Sequence, residues 1–231
     1  MRANSGAEMS TLGTELGSAE PEPDCPICPR LVAFRATNRA VHPDWFNAAV
    51  PSLGPETARL LIVGLAPGLK GANRTGRPFL GDYAGELLYR TLLKVGLARG
   101  AHDPAAPDAL HLVDCMITNA VRCVPPANKP TPSEIVHCRQ FLKARVAALP
   151  NLRVVLALGR IAHESTIDGL GLKRRDYPFV HGARHELATG QLLFGSYHCS
   201  RQNTNTGRLT TPMFEMVLAD IADALRGLKH S

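Results

Sequence analysis

Residues 60–82 read LLIVGLAPGLKGANRTGRPFLGD, and this stretch indicates the fold more clearly than any other part of the chain. It begins with a short apolar run, Leu60–Val63, that ends at a glycine. Such a run is typical of a strand buried on both faces of a sheet, and a loop rich in glycine and proline follows it as far as Asp82. Apolar residues then recur at helical spacing from Ala84 to Leu97. The stretch therefore predicts a strand, a long loop and a helix in succession.

The same alternation continues along the chain. Further strands are predicted at Leu110–Val121, Val154–Gly159 and Leu192–Tyr197. A capping box formed by Thr131 and Glu134 predicts the start of a helix after the second strand. Because strands separated by helices form parallel sheets, we expect an α/β fold with three layers, an open, mainly parallel four-stranded sheet and helices on both faces. Functional residues are then expected at the carboxyl ends of the strands.

The net charge of +6 is unevenly distributed. Residues 1–24 contain one basic and five acidic residues and few apolar ones, which predicts a disordered acidic tail. Residues 25–231 then carry about +10 and are expected to form a single domain. This excess favours a polyanionic partner such as nucleic acid or a membrane surface, with a generally basic surface as the alternative. No apolar run approaches the roughly 18 residues of a membrane span, so we expect a soluble protein.

The cysteines indicate a metal centre. The N-terminus lacks the pattern of a secretory signal, so we expect a cytoplasmic protein with thiols or metal ligands rather than disulfides. Cys25 and Cys28 form a C-x-x-C pair, and Cys123 and Cys138 supply two further thiols. This spacing leaves tetrahedral zinc, an iron–sulfur cluster and four unrelated thiols as alternatives. Cys115 lies in an apolar run and is expected in the core.

The loop after the first predicted strand contains five glycines, which allow the backbone to approach a ligand closely. Asn73, Arg74, Thr75 and Arg77 offer hydrogen-bond donors to a phosphate or a base edge. The loop matches neither G-x-x-x-x-G-K-[ST] nor G-x-G-x-x-G. A nucleoside triphosphatase and a dinucleotide-dependent enzyme are therefore disfavoured.

Polar residues also stand at the ends of two other predicted strands. Asn119 lies near the end of the second strand, and His198 follows the fourth. His198 is followed by a run of polar residues as far as Arg208. Because the carboxyl ends of parallel strands share one edge of the sheet, we expect these residues and the glycine-rich loop to face one crevice.

Taken together, these motifs resemble the uracil-DNA glycosylase superfamily, most closely its iron–sulfur-containing type B members, also called family 5. The resemblance extends from Cys25 to about Leu218. Its motifs are GLAPG at 64–68, NRTGRPF at 73–79, TNAVRC at 118–123, the PP at 125–126 with the segment to Cys138, HCSRQN at 198–203 and TGRLT at 206–210. The resemblance implies a uracil-DNA glycosylase-like fold and a [4Fe–4S] cluster with a structural role. The ligands would be Cys25, Cys28, Cys123 and Cys138.

The resemblance also implies how a damaged base is bound. A glycosylase extrudes the nucleotide from the duplex into a pocket, and here Phe79 would stack on the base and Asn119 would read its polar edge. His198 would donate a hydrogen bond to the base as it leaves with negative charge. The base would contact Gly64, Leu65, Ala66, Phe79, Asn119 and His198.

The residue that activates water is implied less directly. Other branches of the superfamily carry a carboxylate or an asparagine in the first motif, where this chain has Leu65 and Ala66. The resemblance nominates Asp82 instead. A solvated cap of the helix near Ala84 is the alternative interpretation of Asp82. The missing carboxylate fits a wider substrate range that includes hypoxanthine and xanthine.

The partner implied is DNA that contains deaminated bases, bound by a monomer. The segment Ser200–Asn203 would press into the duplex. Cys199 stands where relatives usually have proline, which predicts a more mobile loop. The predicted DNA contacts are Lys70, Asn73, Arg74, Arg77, Ser200, Arg201, Gln202, Asn203 and Arg208.

Two functions of different classes remain. The first is a monofunctional glycosylase that leaves an abasic site, with catalytic residues Asp82, Asn119 and His198. The second is an iron–sulfur or zinc nucleic-acid-binding protein without catalysis. Release of free base distinguishes the two.

Overall fold

The computed structural model describes residues 18–103, 106 and 109–227. Strands and helices alternate over most of this length. The strands are β1 Leu60–Gly64, β2 Ala98–Gly100, β3 Leu110–Leu112, β4 Cys115–Asn119, β5 Val154–Leu158, β6 Arg184–Glu186 and β7 Leu192–Ser196. The helices are α1 Pro29–Val41, α2 Ala72–Thr75, α3 Tyr83–Lys94, α4 Pro132–Ala147, α5 Arg160–Gly169, α6 Arg201–Asn205 and α7 Thr211–Gly227.

The central sheet has the strand order β4-β1-β5-β7-β6. Its first four strands are parallel, and every residue in them is buried. This confirms the prediction of a mainly parallel α/β sheet. The fifth strand, β6, pairs antiparallel with β7 at the edge. It was not predicted, because its three residues Arg-His-Glu carry no apolar signal.

The predicted strand Leu110–Val121 is wrong as a single element. The chain turns at Asp114, whose φ of 57° lies in the left-handed region. β3 pairs with β2 in a separate two-stranded sheet, and only β4 joins the central sheet. Asp114 accepts hydrogen bonds from the backbone and guanidinium of Arg59, which stabilises the turn.

Helices cover both faces of the central sheet, as predicted. Alternate residues of β1 point to opposite faces, as the pleat of a strand requires. Leu60 and Ile62 belong to the core under α3 and α7, whereas Leu61 and Val63 belong to the core under α4 and α5. The capping box of Thr131 and Glu134 starts α4.

Residues 18–24 pack against the domain, so the prediction of a disordered tail is wrong for this part of it. Glu20 Oε2 lies 2.6 Å from the guanidinium of Arg122, and Glu20 Oε1 lies 2.6 Å from that of Arg145. Both arginines are buried. Burial raises the pKa of Glu20, but Arg122 and hydrogen bonds from Ser52 and Arg145 outweigh it and lower the pKa overall. The rest of the predicted tail, residues 1–17, lies outside the described residues. None of the described helices is long and apolar enough to cross a membrane.

Candidate active site and cysteine site

The candidate crevice is the region where β1 and β4 end side by side. Gly64 and Asn119 are register partners at the carboxyl ends of these strands. A Cβ on Gly64 would lie 2.4 Å from Asn119 Oδ1 and 2.7 Å from Phe79 Cζ, so only glycine fits here. Asn119 is 3% exposed, and its Oδ1 atom has no hydrogen-bond partner in the part of the chain that the structure describes. An unpaired buried carbonyl is costly, and this one lies where a ligand with a hydrogen-bond donor could satisfy it.

The backbone at Phe79 is fixed by its neighbours, and this fixes the position of the ring. Phe79 has a φ of 63°, which is uncommon for an aromatic residue, and it is 6% exposed. A Cβ on Gly85 would lie 1.9 Å from the Phe79 carbonyl oxygen, so α3 packs directly on this backbone. The Tyr89 hydroxyl donates to the Pro78 carbonyl at 2.6 Å. Backbone strain of this kind is concentrated at functional sites.

His198 follows β7 and reaches the same crevice. Its ring centroid lies 5.8 Å from that of Phe79, with 23° between the ring planes. The Asn203 side-chain amide donates to the His198 carbonyl at 2.8 Å and fixes the turn. Burial lowers the pKa of His198 to about 4, so the imidazole is neutral at physiological pH and carries one N–H donor.

Asp82 does not behave as a solvated helix cap, so that alternative interpretation is wrong. It occupies the N-cap position of α3, but its side chain makes no capping hydrogen bond. Its carboxylate accepts from the Ala72 backbone instead. A Cβ on Gly68 or Gly71 would lie 2.4 or 2.1 Å from this carboxylate, so the two glycines make room for it. Burial raises the pKa of Asp82, although Ala72 and the charge of Arg74 partly offset the shift.

Leu65 and Ala66 continue from β1 and are half-buried. The Leu65 carbonyl accepts from the Val121 backbone, which joins this segment to the chain after β4. Ala66 packs against the apolar cluster that contains the four predicted cysteine ligands. The segment after β1 therefore packs on the apolar cluster that surrounds the cysteines.

The predicted DNA contacts fall into two groups. Lys70, Arg74, Arg201, Gln202 and Arg208 are exposed, and Arg77 and Ser200 are half-buried. Asn73 is fully buried and donates to Asn47 Oδ1 at 2.8 Å, so the prediction that it contacts DNA is wrong. Asn203 is half-buried, and its side-chain amide donates to the His198 carbonyl, so it also holds the turn.

Cys199 lies at the start of the turn that leads to α6. Its side chain is fully buried in the main core, which anchors the start of the segment that follows. Ser200 Oγ then accepts from the Asn203 backbone and caps α6. The sequence pattern did not predict α6, because its five residues are all polar.

Cys25, Cys28, Cys123 and Cys138 line one small cavity. The six cysteines of the chain are all free thiols, and Cys115 is buried in the core. Burial raises the pKa of Cys123 to about 11 and that of Cys138 to about 12.

Two nitrogen donors approach the sulfurs in this cavity. Arg35 Nη1 donates to Cys123 Sγ at 3.5 Å, and the Arg122 backbone N–H donates to Cys138 Sγ at 3.3 Å. Such donors stabilise thiolate ligands. Among the described residues, no group of three His, Cys, Asp or Glu side chains has the spacing to hold a single metal ion.

Comparison with known proteins agrees with the site. Residues 51–222 match the family model described as the Uracil DNA glycosylase superfamily, and the chain belongs to this superfamily. This confirms the resemblance inferred from the motifs. Within the superfamily, the chain is 47% identical over 210 residues to a protein of Thermus thermophilus named Type-5 uracil-DNA glycosylase, covering 88% of this chain and 94% of the relative.

More distant relatives carry related names. A Mycobacterium bovis protein, also named Type-5 uracil-DNA glycosylase, is 39% identical over 214 residues, which cover 89% of this chain and 79% of the relative. A Thermotoga maritima protein named Type-4 uracil-DNA glycosylase is 32% identical over 172 residues, covering 74% of this chain and 78% of the relative.

Proposed function

We propose that this protein is a DNA repair glycosylase that flips uracil out of DNA and hydrolyses its N-glycosidic bond, leaving an abasic site. The observation that carries the proposal is the buried, unpartnered Oδ1 of Asn119 beside Phe79 and Gly64. The names of the relatives support the same activity. We extend the proposal to hypoxanthine and xanthine, to a monofunctional enzyme without lyase activity, and to a cytoplasmic monomer whose body is a single domain over 25–231.

The residues have distinct roles in this proposal. The extruded base stacks on Phe79, and the Asn119 amide pairs with its polar edge. As the glycosidic bond breaks, negative charge develops on the carbonyl oxygens of the base. A neutral His198 donates its N–H to one of these oxygens and stabilises the leaving anion.

The Phe79–His198 distance constrains how a base can enter. A base between two rings needs about 3.5–4.0 Å to each ring, which is roughly 7 Å in total. The centroids of Phe79 and His198 are 5.8 Å apart. A base that stacks on Phe79 therefore displaces His198 outward or lies beside its ring.

We further propose that Asp82 activates the attacking water. A general base must be deprotonated, and the pKa of Asp82 is raised by burial. The rate should therefore fall on the acid side, with a midpoint above the ordinary aspartate value of 3.8.

Single-turnover base release should depend on pH through the protonation of Asp82. Asp82→Asn should lower the rate by about 10²-fold or more and remove the acid limb, because the amide does not titrate. Rates measured between about pH 4 and pH 8 test this, and the same comparison in a His198→Ala background removes the titration of His198 near pH 4. An unchanged acid limb in the variant would exclude Asp82 as the base.

The four cysteines fit a [4Fe–4S] cluster better than zinc. A single zinc ion draws its four ligands into a tight tetrahedron, whereas a four-iron cluster separates them. The four cysteines line one cavity, yet no three His, Cys, Asp or Glu side chains among the described residues form a group that could hold a single metal ion, which favours the wider cluster. When bound, the cluster would link three segments structurally and carry out no step of the reaction. These segments are the N-terminus of α1, the chain after β4, and α4.

Cys138→Ser should remove most of the iron from the purified protein and destabilise it, because a ligand is lost. Iron and acid-labile sulfide analysis, with the absorbance of the colour, measures this. Cys115→Ser is the matched control, since Cys115 is a core cysteine whose thiol donates a hydrogen bond to the Leu97 carbonyl. Zinc instead of iron in the wild-type protein, or equal iron loss in both variants, would contradict the assignment.

The proposed activity is tested by incubating the protein with end-labelled duplexes that contain one uracil or one hypoxanthine. Alkaline cleavage then reveals abasic sites, and a duplex without a damaged base is the control. Free base released in repeated turnovers supports a glycosylase. Tight binding of the uracil duplex without release would instead support the non-catalytic nucleic-acid-binding protein.

A further inference from the structure

Three exposed arginines around the crevice each lie over an aromatic ring. The distances from Cζ to the ring centroid are 5.5 Å for Arg160 over Phe179, 5.1 Å for Arg201 over Tyr83 and 4.7 Å for Arg208 over Tyr197. Arg201 and Arg208 come from the segment that the motifs single out. Arg160 and the three rings do not, and no motif explains them.

The arginines of the three pairs follow the carboxyl ends of the parallel strands. Arg160 follows the carboxyl end of β5, and Arg201 and Arg208 follow that of β7, its parallel neighbour. The rings of Phe179 and Tyr197 are 6.2 Å apart, which joins the first pair to the third.

Arg160 is also close to the crevice along the backbone. A Cβ on Gly159 would lie 3.6 Å from His198 Cβ, so the residue before Arg160 packs against the histidine. The Gly159 N–H donates to the Ser196 carbonyl at the end of β7. Any ligand that crosses the crevice at His198 therefore passes the start of α5.

The charge of these arginines is available to a ligand. None of the ion pairs found among the described residues involves Arg201 or Arg208, whose guanidiniums lie over Tyr83 and Tyr197. Arg160 is 66% exposed, and its distance of 3.9 Å to Glu164 is at the limit of an ion pair. The other oxygen of Glu164 is held at 2.6 Å by Arg174, so Glu164 neutralises Arg160 weakly. The aromatic partners thus orient the guanidiniums without neutralising them, because a ring face attracts a cation but carries no net charge.

We propose that these three arginine–aromatic pairs form a preorganised phosphate-binding rim, and that Arg160, positioned by Phe179, extends the DNA-binding surface to the end of β5. The inference rests on the proposed function only in taking DNA as the ligand. Guanidiniums bind phosphate oxygens in a bidentate fashion, and a guanidinium stacked in advance loses less side-chain entropy on binding.

The test measures binding of an undamaged duplex at several salt concentrations, together with base release from a uracil duplex. Arg160→Gln should weaken binding several-fold and reduce the slope of log affinity against log salt by about 1, because one phosphate contact is lost. Arg153→Gln is the matched control. Arg153 is exposed and directly precedes β5, so it lies at the amino end of the strand that Arg160 follows.

A second variant separates charge from positioning. Phe179→Leu keeps the charge of Arg160 but removes its ring, so affinity should fall by less than in Arg160→Gln and the salt slope should stay at the wild-type value. Equal effects of Arg153→Gln and Arg160→Gln, or an unchanged salt slope in Arg160→Gln, would overturn the inference. If Arg160→Gln loses binding and the wild-type protein never releases base, the proposed glycosylase activity is refuted. The phosphate-binding role of the arginine–aromatic pairs would still be supported.

Discussion

His198→Ala should lower the single-turnover rate of base release by about 10²–10³-fold and leave DNA binding nearly unchanged. The reason is that the imidazole acts on charge that exists only as the glycosidic bond breaks. Losing one preorganised donor to a developing oxyanion typically has an effect of this size. The rate is measured at saturating enzyme, and the affinity for an undamaged duplex is measured separately.

The protonation state of His198 sharpens this prediction. Burial lowers the pKa of His198 to about 4, so the ring remains neutral from about pH 5 upward and its contribution should not vary with pH there. The ratio of wild-type to His198→Ala rates should therefore be constant between about pH 5.5 and pH 8. A ratio that changes around pH 6.5 would show that the ring titrates as an ordinary histidine and would contradict a neutral donor.

A control variant addresses the fold of the turn. Asn203 holds the His198 carbonyl at 2.8 Å, so Asn203→Ala should loosen the turn and reduce the rate by less than His198→Ala does. If the two variants lost the same activity, the position of the turn rather than the imidazole would account for the loss.

Much of the fold was predictable from the sequence because buried parallel strands leave a strong local signal. The runs at β1, β5 and β7 are apolar on both faces, and the capping box marks α4 without ambiguity. The break at Asp114 was not predictable, because apolar residues continue on both sides of it and only the left-handed backbone separates β3 from β4. β6 carries no apolar pattern and depends on pairing with β7.

The site shows a similar division. Asn119 and His198 stand at strand ends, so the topology alone brings them towards one crevice. The packing of Asn73 against Asn47 depends on a contact between distant segments, which a donor in a glycine-rich loop does not reveal. The ion pairs of Glu20 with two buried arginines are not predictable for the same reason, because an acidic stretch has the composition of a disordered tail. Tyr83, Phe179 and Tyr197 belong to no motif and emerge only from their contacts with arginines.

Gly64→Ala should abolish most base release, with a rate at least about 10²-fold below the wild type. The added Cβ would lie 2.4 Å from Asn119 Oδ1 and 2.7 Å from Phe79 Cζ, so it displaces the two groups proposed to bind the base. A misplacement of about 1 Å is enough for a loss of this size, and overpacking should also reduce stability by about 1–3 kcal/mol. The rate and the midpoint of thermal unfolding are measured together.

Two further variants distinguish an effect of Gly64→Ala on the site from an effect on the stability of the fold. Gly169→Ala adds a methyl group in α5, where the new Cβ meets Arg139 Cγ at an ordinary 3.7 Å, so it should retain wild-type activity. The double variant Gly64→Ala with Asn119→Ala removes one of the clashing groups. It should regain part of the lost stability and none of the lost activity, because contacting residues are not additive. Full activity in Gly64→Ala would mean that Asn119 and Phe79 do not bind the base in the arrangement seen here.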